Sequence, residues 1–261
     1  MTMQYELSNL VEAIKIIYFL GFLLVFSIQD YKRREISDNL VYVFTGGSIV
    51  FCSLTIYMYK PPPLYLAFSF MVPALFIAMY LAGLMGEGDV YVIFSLTLLY
   101  PVPPHSSLLP RSLLPPPLSI TVYSTLSIVL VSLLYGAYIL IRYRGLLKEV
   151  PLKYRFIYPF IAKPMRLNEY LGTEFYYPLT LIELKDNSVK TTYRLHYDVE
   201  EEDPGAYREM FKRLIESGVV PDTIYIWVSY GIPYIIPLFL GTIIFLLVGD
   251  TPILRLLELI L

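Results

Sequence analysis

Six stretches of this chain, residues 10–29, 40–59, 64–86, 90–104, 118–141 and 223–249, are almost free of charge. Each meets or approaches the roughly 20 apolar residues that a helix needs to cross a bilayer core. Hydrocarbon offers backbone N–H and C=O groups no water, so runs of this kind are satisfied as helices. Only 16% of the 261 residues are charged, against roughly 25% in soluble domains. The expected fold class is therefore an all-α polytopic membrane protein with six transmembrane helices, carrying a small mixed α+β cytoplasmic domain. The segment 90–104 is the shortest and ends in prolines. Glu12 and Lys15 fall near the start of the first run, where their heads are expected to snorkel toward water. The N-terminus has no basic leader region and no small-residue cleavage site, so the first run is expected to stay as an anchor.

Charge orients these spans. Lys32, Arg33 and Arg34 follow the first, and Arg142, Arg144, Lys148, Lys153 and Arg155 follow the fifth. The connections on the other side hold only Lys60 and Arg111. The positive-inside rule then puts the N-terminus outside, the 31–39 connection and residues 142–222 in the cytoplasm, and the C-terminus outside. The chain accordingly divides into 1–141 (five helices), 142–222 (the cytoplasmic region) and 223–261 (the sixth helix and an external tail). Within 142–222, residues 176–184 and 189–197 alternate as short strands do, and 206–217 reads as an amphipathic helix closed by Gly218. The acidic run at 200–203 is expected to be a solvated loop. Residues 253–261, with Arg255 and Glu258 three apart, suit a helix lying on the outer surface.

Two aspartates stand at the ends of different apolar runs. Asp30 closes the first, and the tetrapeptide Gly86-Glu87-Gly88-Asp89 closes the third. A carboxylate central in hydrocarbon costs about 2.5–3.5 kcal/mol on insertion scales, so it calls for a task or a partner. Counting spans puts both aspartates at the cytoplasmic face, as joint catalysis requires; one span fewer between them would face them to opposite compartments. Two adjacent carboxylates share a proton: the ionised one draws a proton from water while the neutral one hydrogen-bonds a scissile carbonyl. The pair titrates as a unit, and base and acid are not assignable to one or the other from sequence. Gly86 and Gly88, lacking Cβ, are expected to let the backbone leave helical geometry and lie close to an extended substrate. Cys52 sits alone in an apolar run, and His105 and His196 are far apart, so neither metal nor cofactor is expected. No nucleic-acid partner is expected either.

The stretch Asp30-Tyr31-Lys32-Arg33-Arg34-Glu35-Ile36-Ser37-Asp38, leaving a membrane span, resembles the first signature of the prepilin peptidase family. Its second signature is matched by Gly86–Asp89. The register of Arg, Ile and an acidic residue after the aspartate is met by Arg34, Ile36 and Asp38. The archaeal branch, the preflagellin peptidases, is the most similar, and the run at 232–237 leading to Gly249-Asp250 resembles its closing span. The resemblance implies six spans, Asp30 and Asp89 as catalytic residues, and cleavage of the short basic leader (class III signal peptide) from archaellin and type IV pilin-like precursors. Glu35, Asp38 and Glu87 are candidate contacts for that leader. Bacterial members carry a zinc-binding Cys-x-x-C pair and methylate the product; with one cysteine, this chain is expected to cleave without methylating. Two other readings of the same aspartates stand beside this one. An intramembrane protease of the presenilin or signal-peptide-peptidase kind shares Gly-x-Gly-Asp, although Gln29 rather than Tyr precedes Asp30. A transporter or channel would use both carboxylates as an ion or proton site.

Overall fold

A computed structural model describes residues 2–185, 188–198, 202–230 and 234–260. In chain order, five helices come first: α1 (Thr2–Arg33), α2 (Asp38–Tyr59), α3 (Pro63–Leu81), α4 (Glu87–Leu99) and α5 (Pro116–Arg142). Short elements follow: α6 (Arg144–Glu149), α7 (Leu152–Arg155), α8 (Tyr158–Ile161), β1 (Lys163–Arg166), α9 (Leu167–Leu171), β2 (Tyr176–Pro178), β3 (Thr180–Lys185) and β4 (Ser188–Tyr193). The chain ends in α10 (Pro204–Glu216), β5 (Tyr225–Tyr230), α11 (Ile235–Val248) and α12 (Thr251–Ile260). Pro63 and Pro116 each stand at the first helical position, where a missing N–H removes no hydrogen bond. The residues form two compact units, Met1–Ile128 with Pro233–Leu261, and Val129–Ile232.

The six expected spans are found only in part. Among the described residues, four helices are long and apolar enough to cross a bilayer: Glu6–Arg33, Asp38–Tyr59, Pro63–Leu81 and Pro116–Arg142. A fifth is added if α11 and α12, bent by 88° at their junction, count as one broken span. The segment 90–104 fails as a single helix because α4 has only 13 residues, about 20 Å of rise against a core of about 30 Å. The segment 223–249 fails because Tyr225–Tyr230 pairs as a strand and the helix starts only at Ile235.

In the first unit α4 is the enclosed element, packed on α2 and α3, while α1 packs on α11. Val92, Ile93, Leu96 and Leu99 of α4 are wholly buried. The hydroxyls of Thr45 and Ser95 meet at 2.7 Å between α2 and α4. Phe19, Phe26 and Phe44 knit α1 to α2, with the Phe26 and Phe44 rings edge to face at 5.6 Å. The outward faces remain apolar, Leu81 being 78% exposed, as a helix facing lipid requires. Beyond α4 the chain continues to His105, whose carbonyl accepts from the Ser8 hydroxyl at 2.7 Å; that hydroxyl also meets Tyr59 Oη at 2.7 Å. The 89–105 segment therefore runs alongside α1 from the Asp30 end to the Ser8 end, helical for only part of the way.

Glu12 and Lys15 do not snorkel. Both are 2% exposed and pair with each other at 3.2 Å, and the Lys15 ammonium lies 4.9 Å from the Tyr100 ring centroid. Where α11 bends into α12, Gly249 takes φ 63°, a conformation that Cβ disfavours. Asp250 follows, buried, accepting the N–H groups of Leu113 and Leu114 at 2.6 Å each.

In the second unit β5 is the central strand of an antiparallel sheet of order β1-β5-β2, with Lys163 opposite Val228 and Tyr176 opposite Tyr230. β3 and β4 form a separate hairpin, Thr180 opposite Tyr193. Helix α10, the expected amphipathic helix, buries Phe211 edge-on to Tyr170 at 5.6 Å. The acidic run is not simply solvated. Glu202 pairs with Arg194 at 2.7 Å and accepts from Tyr207 Oη, and Asp203 caps α10 by accepting from the Gly205 N–H. Glu200 and Glu201 lie outside the described residues.

Candidate functional site

Asp30 occupies the last turn of α1 and is buried. Its Oδ2 accepts the backbone N–H of Ile235 at 3.3 Å. That N–H opens α11, and the first turn of a helix leaves its N–H groups without intrahelical partners. The carboxylate supplies one partner from a residue 205 positions away.

The chain then turns sharply. Arg34 has φ 59°, unusual for a residue with a side chain, and its N–H donates to the Asp30 carbonyl at 3.1 Å. Ser37 N–H donates to Gln29 Oε1 at 3.1 Å, closing the turn back on α1. This carries Ile36 into the apolar core, directly against Gly88. A Cβ on Gly88 would lie 2.9 Å from both Cγ1 and Cδ1 of Ile36. The expected reason for Gly88 is thereby corrected. Gly88 is helical, in the first turn of α4, and what it permits is the approach of a side chain. Gly86 caps α4 at φ −78° and ψ 153°, a conformation open to any residue.

Three residues beyond the cap, Asp89 is half-buried at the head of α4. Asp30 and Asp89 lie within electrostatic reach of each other, and the Arg34 guanidinium acts on both. Burial first, and the Asp30 charge second, push the Asp89 carboxyl up to about 7, with Arg34 opposing. Tyr234 is also within electrostatic reach of Asp89, its ring against Phe76 at 5.5 Å between centroids. The surroundings of the two carboxylates are thus unequal: Asp30 has a backbone donor, whereas Asp89 accepts no hydrogen bond among the described residues. An unequal pair, with a cation nearby and one proton to share, is suited to general acid–base work on a water molecule.

Glu35, Asp38 and Glu87 are all exposed, and none forms an ion pair among the described residues. Glu87 turns toward the Tyr91 hydroxyl. Three participants were not singled out from sequence: Tyr234, the Ile235 N–H, and Arg34 as the cation shared by both aspartates. The available signal was Tyr234, the one side-chain hydroxyl in the 232–237 run; Ile232 and Pro233 of that run lie outside the described residues.

Compared with known families, residues 17–141 match the type IV leader peptidase family. Residues 154–251 match the archaeal peptidase A24 C-terminus, type II. The first match contains Asp30 and Asp89, and the second contains Tyr234, Ile235 and Asp250. A search of curated proteins returned no match.

Proposed function

This chain belongs to the type IV leader peptidase family, in its archaeal form, and from that premise we propose that it is a membrane-embedded aspartyl endopeptidase. Its reaction is removal of the short basic leader from archaellin and type IV pilin-like precursors at the cytoplasmic membrane face. The observation that carries this reading is that Asp30 and Asp89, from α1 and α4, lie within electrostatic reach of each other in unequal surroundings. The ionised member takes a proton from water as its oxygen attacks the scissile carbonyl carbon. The neutral member hydrogen-bonds the carbonyl oxygen and later protonates the departing amine. Arg34 offsets the negative charge of the pair.

The cytoplasmic placement is supported by charge and by parity. Lys32, Arg33 and Arg34 follow Asp30 after a single residue, Tyr31. Only α2 and α3, both long enough to cross, separate Asp30 from Asp89, so the two aspartates share a face whatever α4 does. Residues 89–105, which lie alongside α1, offer a path back to the outer side, and the basic cluster after α5 favours a cytoplasmic position for residues 142–222. The exposed carboxylates Glu35, Asp38 and Glu87 are the candidate contacts for the leader's lysines and arginines. Coexpression with an archaellin or pilin precursor tests the reading: a mobility shift matching leader removal supports it, and an uncut precursor beside inserted, folded enzyme overturns it.

A further inference from the structure

Tyr234 immediately precedes α11, one residue before the N–H that Asp30 accepts. Neighbouring residues thus bear on the two carboxylates: the backbone of Ile235 donates to Asp30, and the side chain of Tyr234 lies within electrostatic reach of Asp89. The Tyr234 hydroxyl is enclosed and has no hydrogen-bond partner among the described residues. Enclosed hydroxyls are nearly always partnered. A phenol titrates near 10, so at neutral pH it holds its proton and is a donor in need of an acceptor. The two-carboxylate mechanism leaves it without a task.

We propose that the Tyr234 hydroxyl is a third catalytic group, donating a hydrogen bond to the scissile carbonyl oxygen as that oxygen gains negative charge. The inference rests on the peptidase reading above. In the addition step the water oxygen bonds to the carbonyl carbon and its proton passes to the ionised carboxylate. The carbonyl π pair moves onto oxygen, which accepts hydrogen bonds from the neutral carboxyl and from Tyr234. On collapse the C=O re-forms, the C–N bond breaks, and the amine leaves with a proton from the carboxyl pair. Tyr234 keeps its own proton throughout. A fixed donor aimed at developing charge acts mainly in the transition state.

The test is Tyr234→Phe, purified in detergent and assayed on a precursor that the wild-type protein cuts. The ring stays against Phe76 and only the hydroxyl is lost. The expected result is a fall in kcat of about 10²-fold with KM within about threefold. Because the hydroxyl has no partner among the described residues, the melting temperature should hold or rise. Tyr234→Leu should lose at least as much kcat. A Phe variant with kcat within threefold of wild type overturns the inference. So does one whose lost activity is matched by a lower melting temperature, since the hydroxyl would then serve packing. A wild-type protein that leaves the precursor uncut fails at an earlier point, by overturning the peptidase reading itself.

Discussion

The backbone N–H of Ile235 donates to Asp30 Oδ2 at 3.3 Å, tying the first turn of α11 to the last turn of α1. Asp89 approaches from the head of α4, so three helices converge on one pair of carboxylates. The closing part of the chain is thereby part of the site, although it lies some two hundred residues beyond Asp30.

The pH dependence of processing should reflect this arrangement. Burial and the Asp30 charge hold the Asp89 carboxyl up to about 7, so the pair keeps one proton from acid pH to near neutrality and releases it above. The groups facing it are Asp30, Arg34 and Tyr234. Activity that needs one proton on the pair should fall as pH rises through that region. Arg34 opposes the upward shift, so removing its charge should move the falling limb to higher pH, and Arg34→Lys should largely keep it in place. Arg34→Asn is the suitable neutral variant because Asn tolerates the left-handed backbone found there. An alkaline limb below pH 5 in the wild type, or a limb unmoved in Arg34→Asn, contradicts this account.

Gly88 should be limited by Ile36. A methyl group at Gly88 would meet two Ile36 carbons at 2.9 Å, so Gly88→Ala should lower activity by displacing the turn that carries Arg34. Ile36→Ala opens that space, and the double variant should recover activity relative to Gly88→Ala alone. A double-mutant cycle read on processing rate checks this, and additive losses would count against the contact.

Asp250 should matter for stability rather than chemistry. It holds two N–H groups of the connection before α5, and no residue of the aspartate pair touches it among the described residues. Asp250→Ala should cost about 1.5–3 kcal/mol for each hydrogen bond lost. The folded fraction should still cut at the wild-type rate. Thermal melting in detergent, with activity normalised to folded protein, separates the two quantities.

The aspartates were legible because each ends an apolar run, and two helices long and apolar enough to cross a bilayer stand between them. The strand Tyr225–Tyr230 was misread as membrane helix for a physical reason. As the central strand of its sheet it is buried over Ile226, Trp227 and Val228, so it shows a continuous apolar run with no alternation to betray it. The shortness of α4 was hidden in the same way, since Tyr100 and Val102 beyond its end are as buried as the helix itself. Glu12 and Lys15 stand at pairing distance in sequence, yet their burial depends on Tyr100, which only the tertiary fold brings to them. The Ile235 donor could not be read at all, because a backbone N–H has no signature in side chains.

The central claim is that Asp30 and Asp89 act together, and it is tested most directly by Asp30→Asn and Asp89→Asn in cells coexpressing a precursor. Each substitution keeps the size of the side chain and removes the carboxyl group that the pair needs. Processing should be abolished in both while the protein still inserts in the membrane, and Asp38→Asn, exposed and outside the pair, should retain substantial activity. Cleavage at the wild-type rate by either Asp30→Asn or Asp89→Asn would contradict the account.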